Sequence, residues 1–223
     1  MRRIRKRAAS LLLAAVMLLG LLPTAVWAAD PPDIPGYTPP KGWTVGPENN
    51  IEGTNLLWTY YYTSGSDASG PYTVAELVIY PDSGASPDGN FTIRDYTAAE
   101  GAEAAPWNQS TNVRYDSIYI ADGVTGIGSY AFAQMDTLTE ITIAGPTDLQ
   151  SVGERAFYGD DKLAGPIELP GVTSLGQYAF YGCSGLGVGG VTLGEGLTAI
   201  PAHAFDSCGL KEITIPSTVT EIG

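Results

Sequence analysis

Several features of the 223-residue sequence carry side chains able to do chemistry. Cys183, Cys208 and the single histidine, His203, lie close together in the chain. A thiol beside an imidazole makes a nucleophile, but a general base also needs hydrogen-bonding partners in a pocket, and none is evident. Gly185-Leu186-Gly187-Val188-Gly189-Gly190 matches G-x-G-x-x-G. A dinucleotide loop follows a strand and opens a helix. This run instead precedes the alternating Val191-Thr192-Leu193, so a turn between strands is expected. Asp82 and Asp88-Gly89-Asn90 offer oxygen ligands to Ca²⁺ from a Ser/Gly/Pro-rich loop, without EF-hand spacing; a solvated loop is expected. Asn90-Phe91-Thr92 and Asn108-Gln109-Ser110 are glycosylation acceptors if the host is a eukaryote. Trp58-Thr59-Tyr60-Tyr61-Tyr62, with Tyr72 and Trp107, forms an aromatic cluster. Packing is its favoured reading. If it instead stacks on sugars or extended peptides, Trp58, Tyr60 and Tyr62 are the candidate contacts. No nucleophile–base pair or metal set survives, so a non-enzymatic protein without cofactor or metal is expected.

The elements that position these residues begin with the N-terminus. Arg2, Arg3, Arg5, Lys6 and Arg7 form a basic start, Leu11–Leu22 an apolar run, and Val26-Trp27-Ala28 a small-residue cleavage site. Residues 1–28 therefore read as a secretory signal peptide. The apolar run is short for a bilayer span, and no later stretch is long and apolar enough to replace it. Removing the segment leaves six Lys and Arg against 24 Asp and Glu, a net charge of −18. Such a chain lacks the basic face that nucleic acid requires, and it is repelled by anionic lipid. Residues 29–47 are Pro-rich, with Pro31, Pro32, Pro35, Pro39, Pro40 and Pro47, and are expected to be extended. A spacer is the main reading; a strap across the next domain, with Trp43 tucked in, is the alternative.

The second half repeats. Ile118-Tyr119-Ile120, Ile141-Thr142-Ile143, Ile167-Glu168-Leu169, Val191-Thr192-Leu193 and Ile213-Thr214-Ile215 start 23, 26, 24 and 22 residues apart. Aliphatic-Gly or aliphatic-Pro steps follow at Ile127, Val152, Leu175, Ile200 and Ile222. Ala-Phe pairs come next at residues 131–132, 156–157, 179–180 and 204–205. Such units are too small to bury an apolar face alone, so they stack and share a core. Period-2 alternation points the outer residues of each strand inward and the middle one outward. Phe supplies apolar area between rungs, and Ala permits close approach. The expected architecture is a solenoid of stacked rungs. It has one parallel sheet of five short strands, with turns and short helical segments opposite, over residues 116–223.

The unit resembles the BspA-like leucine-rich repeat, most closely at Leu210–Gly223 and Gly123–Phe132, which implies a leucine-rich-repeat solenoid; residues 48–115 look like the small β-rich cap that often opens such proteins, with strands at Gly53–Trp58, Val74–Tyr80 and Phe91–Thr97. Cys183 and Cys208 share one rung position, where Met135 and Asp160 stand in other rungs. Stacking would bring the two Cα atoms near disulfide range, but the side chains would point the same way and family rungs commonly bury this Cys as an apolar filler; a bond and two free thiols both stay open. Gly165 and Gly187–Gly190 lengthen two rungs. The chain ends where a further rung would continue, which reads as a fragment of a longer protein.

The resemblance implies a secreted or cell-surface protein used in adhesion or host contact. Its partner would be a protein or another host or surface macromolecule, with carbohydrate as an option at the aromatic cap. The expected recognition row is Tyr119, Thr142, Glu168, Thr192 and Thr214, flanked by Glu140 and Glu212. A rigid spacer presenting other domains is the rival reading.

Overall fold

The computed structural model describes residues 32–67, 70–99, 104–109, 113–187 and 190–223; the expected signal peptide lies outside them. Its strands are β1 (Thr44–Val45), β2 (Asn49–Asn50), β3 (Leu56–Asp67), β4 (Gly70–Pro81), β5 (Val113–Ile120), β6 (Gly126–Ile127), β7 (Glu140–Ile143), β8 (Ser151–Val152), β9 (Ile167–Leu169), β10 (Ser174–Leu175), β11 (Val191–Leu193), β12 (Ala199–Ile200) and β13 (Glu221–Ile222). Two short 3₁₀ turns, Pro106–Gln109 and Ser184–Gly187, are the helical elements among the described residues.

β3 and β4 form a long antiparallel hairpin, which β1 and β2 extend along β3. The other edge of the hairpin pairs in parallel with β5, and β5 with β7, so the cap and the first repeats share one six-stranded sheet. Leu77, Val78, Ile79 and Tyr80 are all buried, although alternation sends neighbours to opposite faces. Both faces of the hairpin are therefore covered. One packs on the main core. The other carries a second cluster of Ile34, Tyr61, Val78, Tyr80, Tyr119 and Ala121, with Tyr37, Trp43, Val45 and Leu57 at its border.

Ile34 and Tyr37 belong to the Pro-rich lead, so this stretch is a strap and not the free spacer of the main sequence reading. Its prolines cannot complete a ladder, but its apolar side chains still gain by burial. Full burial of Ile34 contributes about 1.5–3 kcal/mol. The Tyr37 hydroxyl then donates to Glu76 Oε2 at 2.5 Å, and the Tyr80 hydroxyl to Glu48 Oε2 at 2.7 Å.

In the repeats, three features stack from rung to rung. The strands of the Ile-x-Ile motifs pair in parallel in two stretches: β5–β7, and β9–β11 continued by the bridge from Thr192 to Thr214. A second parallel ladder, β6–β8–β10 and β12–β13, runs through the aliphatic-Gly/Pro steps. Gly153 and Gly176 are needed there, because a Cβ on either would lie 2.5 Å or less from backbone of the preceding rung. A third set of backbone bonds joins the Ala-Phe pairs: Phe132 N–H to Ala156 O at 2.9 Å, Phe157 to Ala179 at 2.8 Å and Phe180 to Ala204 at 2.9 Å.

Inside them, Trp107, Phe132, Phe157, Phe180 and Phe205 stack in one column with centroids 5.7, 5.3, 5.1 and 5.5 Å apart. Each such aromatic pair adds about 0.5–1.5 kcal/mol beyond burial. Trp107 heads the column and its Nε1–H donates to Ala131 O at 2.7 Å, so the Ala-Pro-Trp of the cap closes the N-terminal end of the core.

Two expectations need correction. The strand-side sheet is not unbroken: the ladder passes from β5 to β7 and resumes between β9 and β11. Between them stands the inserted Gly165, at φ 88°. In addition, Phe91–Thr97 is not a cap strand; only Thr92 bridges, to Gly126, at the start of the second ladder.

Candidate functional site

Strand register lines up the middle residues on one face: Tyr119 opposite Thr142, Glu168 opposite Thr192, and Thr192 bridged to Thr214. In β9 and β11 the flanking residues point to the core, as the buried–exposed–buried patterns of Ile167-Glu168-Leu169 and Val191-Thr192-Leu193 show. Thr142, Glu168, Thr192 and Thr214 are exposed, together with Glu140 and Glu212. Tyr119 is not: only 9% of it is accessible, because Tyr37 of the strap lies against its ring at 4.7 Å. It leaves the candidate contact list for that reason.

The exposed face contains a cleft of about 390 Å³ between β7 and β9, lined by residues 139–143 and 164–168. Thr142 and Glu168 of the expected row both border it. The sequence reading named Gly165 as an insertion but did not anticipate the cleft it accompanies.

The aromatic cap is core. Trp58 and Tyr60 are each 4% accessible, and their rings meet Trp107 at 5.7 Å and Tyr115 at 6.2 Å. Neither offers a ring face to a sugar or peptide, which removes both from the candidate contacts. Tyr62 stays half-buried at the border, 5.6 Å from Tyr60. Burial pushes the Tyr60 hydroxyl up to about 12, with the neighbouring Tyr62 adding to it.

On the turn side, Tyr130, Arg155, Tyr178 and His203 occupy one rung position in the left-handed region, with φ of 53–58°. That conformation costs each of them about 1 kcal/mol or more. Ladder bonds offset the cost: Tyr130 N–H to Glu154 O at 3.0 Å, Arg155 to Gln177 at 3.0 Å and Tyr178 to Ala202 at 3.3 Å. Their side chains stack as an outer column. The Arg155 guanidinium lies 4.6 Å from the Tyr178 ring, which stacks on His203 at 4.8 Å. Tyr158 and Tyr181 stack beside them at 5.0 Å. His203 Nδ1 meets Asp206 at 3.2 Å on the exposed surface.

Both thiols are free. Cys183 Sγ donates to Phe157 O at 3.0 Å and Cys208 Sγ to Phe180 O at 2.8 Å. Burial raises both, Cys208 to about 11, which makes them poor nucleophiles at neutral pH. Asp160 takes the same rung position. It is wholly buried, its Oδ1 accepts Met135 N–H at 2.7 Å, and Oδ2 has no partner. Burial pushes its carboxyl well above the usual carboxylate range, and the nearby Asp136 and Asp161 add to this.

The remaining motifs serve the backbone. Gly185 and Gly187 pass within 2.5 Å, measured from a would-be Cβ, of Leu163 O and Gly209 O, so these glycines of G-x-G-x-x-G permit close rungs. Asp82 Oδ1 accepts Gly84 N–H at 2.8 Å in a local turn. Among the described residues no three His, Cys, Asp or Glu side chains converge as metal ligands, and no helix is long and apolar enough to cross a membrane. The acceptor amides also hold structure: Asn90 Nδ2 donates to Gly53 O and Asn108 Nδ2 to Ala133 O.

Stacked Leu-x-x-Ile-x-Ile strands, Ala-Phe pairs and the shared Cys position define a leucine-rich-repeat protein. The profile of the BspA type leucine rich repeat region matches residues 109–223 in six copies, and the chain belongs to that family. A leucine-rich repeat protein from Eubacterium ventriosum superposes with TM-score 0.54 at 23% identity, over 79% of this chain and 39% of that one. A T. pallidum leucine rich repeat protein gives TM-score 0.45 at 18% identity, covering 73% and 83%. A leucine rich cell surface protein from Faecalibacterium prausnitzii gives 0.43 at 22%, covering 79% and 50%. The chain thus spans about two fifths of the Eubacterium protein and half of the Faecalibacterium one. No curated protein matches it.

Proposed function

We propose that the chain is a secreted or cell-surface, non-catalytic repeat solenoid that recognises another macromolecule through its strand face. The observation that carries this reading is the exposed row Thr142, Glu168, Thr192 and Thr214, carried by the parallel strands on either side of the cleft and left uncovered beyond the strap. Polar residues on a rigid scaffold can present binding groups without a cost in fold stability. Export rests on the basic and apolar pattern of residues 1–28; an exported product whose N-terminal sequence begins at Ala29 is the expected outcome. A non-catalytic role rests on the thiols being tied to carbonyls and on His203 Nδ1 pairing with Asp206.

The strand face is tested by Thr142→Lys with Thr192→Lys. Two long cations at the centre of an interface create desolvated mismatches. Immobilised mature chain is exposed to extracts of host and cell-wall macromolecules, and captured species are titrated against the variants. Loss in the strand-face pair, with retention in Tyr158→Lys/Tyr181→Lys, supports the reading. The reverse result moves the site to the stacked tyrosines of the turn side. Equal capture by both leaves the repeats as a spacer presenting other domains.

A further inference from the structure

The strap is itself an extended peptide docked on the sheet, and the way it is held bears on what the rest of the face accepts. Ile34 sinks among apolar side chains, and Tyr37 lies on Tyr119 and donates to Glu76. Register places Glu76 opposite Ser117 and Ser117 opposite Glu140. Glu140 is therefore the same acceptor two strands farther along. In the same way Thr142 continues the row of Val78 and Tyr119.

Beyond the strap the face changes in one respect: it opens into the cleft between β7 and β9. Each of these strands pairs along one edge only, which leaves peptide groups on the facing edges without ladder partners. Ala164 N–H reaches Thr139 O at 3.0 Å at one end of the cleft. The charged residues lining it are Glu140 and Glu168, both exposed, and no Lys or Arg lines it. Among the described residues neither glutamate has a side-chain partner. Ala164 and Pro166 give it apolar walls. Apolar walls below two carboxylates suit an aliphatic stem that ends in a cation.

We propose that this cleft takes a lysine or arginine side chain from an extended peptide whose main chain runs across the strand face beside the strap. The peptide's cation sits between Glu140 and Glu168, and its main chain lies over the strand face. This rests on the strand face being the recognition surface, and it names the partner's chemistry: an extended basic segment.

The test uses the full mature chain and a fluorescein-labelled peptide of alternating Lys and Thr, followed by anisotropy. Saturable binding is expected. Glu140→Gln with Glu168→Gln should weaken it by at least about tenfold, or ~1.4 kcal/mol. Glu154→Gln with Glu195→Gln removes as much charge elsewhere and should leave affinity within about twofold. A Glu-Thr peptide should not bind. Equal weakening by the two pairs would reduce the effect to bulk charge and overturn the proposal. A concentration-dependent dimer in sedimentation that the Glu140/Glu168 pair abolishes would assign the cleft to a second copy, and would also overturn it. If the Lys-Thr peptide fails to bind while Thr142→Lys/Thr192→Lys still abolishes macromolecule capture, the proposal falls and the recognition face stands. If the peptide binds through the two glutamates while capture ignores the strand-face change, the proposal stands and the broader reading falls.

Discussion

The hairpin β3–β4 and the repeat strands are made of similar residues but differ in how many of their faces are covered. In the hairpin, Leu77 through Tyr80 are buried without interruption, one set under the main core and the other under the strap. In the repeats, Ile167-Glu168-Leu169 and Val191-Thr192-Leu193 alternate buried, exposed, buried. The difference teaches where recognition is possible. A covered strand can carry tyrosine on its second face only because Ile34 and Tyr37 shield it. An uncovered strand must place Thr or Glu there and so keeps a surface free for a partner.

The change that would most disturb the repeat half lies beneath that surface. Phe157 is 1% accessible at the middle of the aromatic column, and Phe157→Ala should cost about 3–5 kcal/mol in a denaturant melt of the mature chain. A loss under about 1 kcal/mol would mean the column is not the core of the rungs. Ile34→Ala probes the other half. It should cost about 2 kcal/mol and speed amide exchange in β4 and β5 while leaving β9 and β11 unchanged. Uniform loss of protection would erase the distinction between the two regions.

Asp160 gives a third, pH-dependent test. Its folded carboxyl titrates above the ordinary value of 3.8, so below that value it costs nothing by ionisation in either state. As pH rises, the unfolded chain ionises first and stability is lost, until the folded carboxyl also titrates. Asp160→Cys, which copies Cys183 at the same rung position, should thus stabilise the chain at pH 7 by about 1–3 kcal/mol. The gain should shrink as the pH falls toward about 4, where the ionisation part of the cost is lost. Paired melts at the two pH values measure it, and a pH-independent difference would show that the carboxyl is not neutral in the fold. The smallest effect belongs to the free face: Thr142→Lys and Thr192→Lys should each change stability by no more than about 0.5 kcal/mol. A larger loss would mean that this face is covered after all.

Much of this was legible in the sequence. Alternation identified the strands around Tyr119, Thr142, Glu168 and Thr192, and the Ala-Phe spacing identified the aromatic column. What escaped had no periodic signal. A two-residue strand such as Ser151–Val152 is too short to alternate, so the second ladder read as a row of turns. Tyr130, Arg155, Tyr178 and His203 share a left-handed backbone that glycine would normally announce, and none of them is glycine. Trp58 and Tyr60 looked equally suited to a sugar platform or a core, because aromatic composition does not say which face another segment will cover. The covering segment was read mainly as a spacer for a related reason: proline forbids the ladder, but it does not forbid docking by side chains. The cleft could be traced only as far as Gly165, since a one-residue insertion names a place without giving its shape.

That insertion has a wider consequence. At the boundary where β7 and β9 part, the other two rung-to-rung connections continue: β8 pairs with β10, and Phe157 N–H still reaches Ala179 O. A defect on one side of a rung is thus confined to that side. A lineage can lengthen or shorten strand-side segments, opening or closing clefts, without passing the error along the stack. The exposed face is thereby free to vary one rung at a time while the scaffold stays continuous.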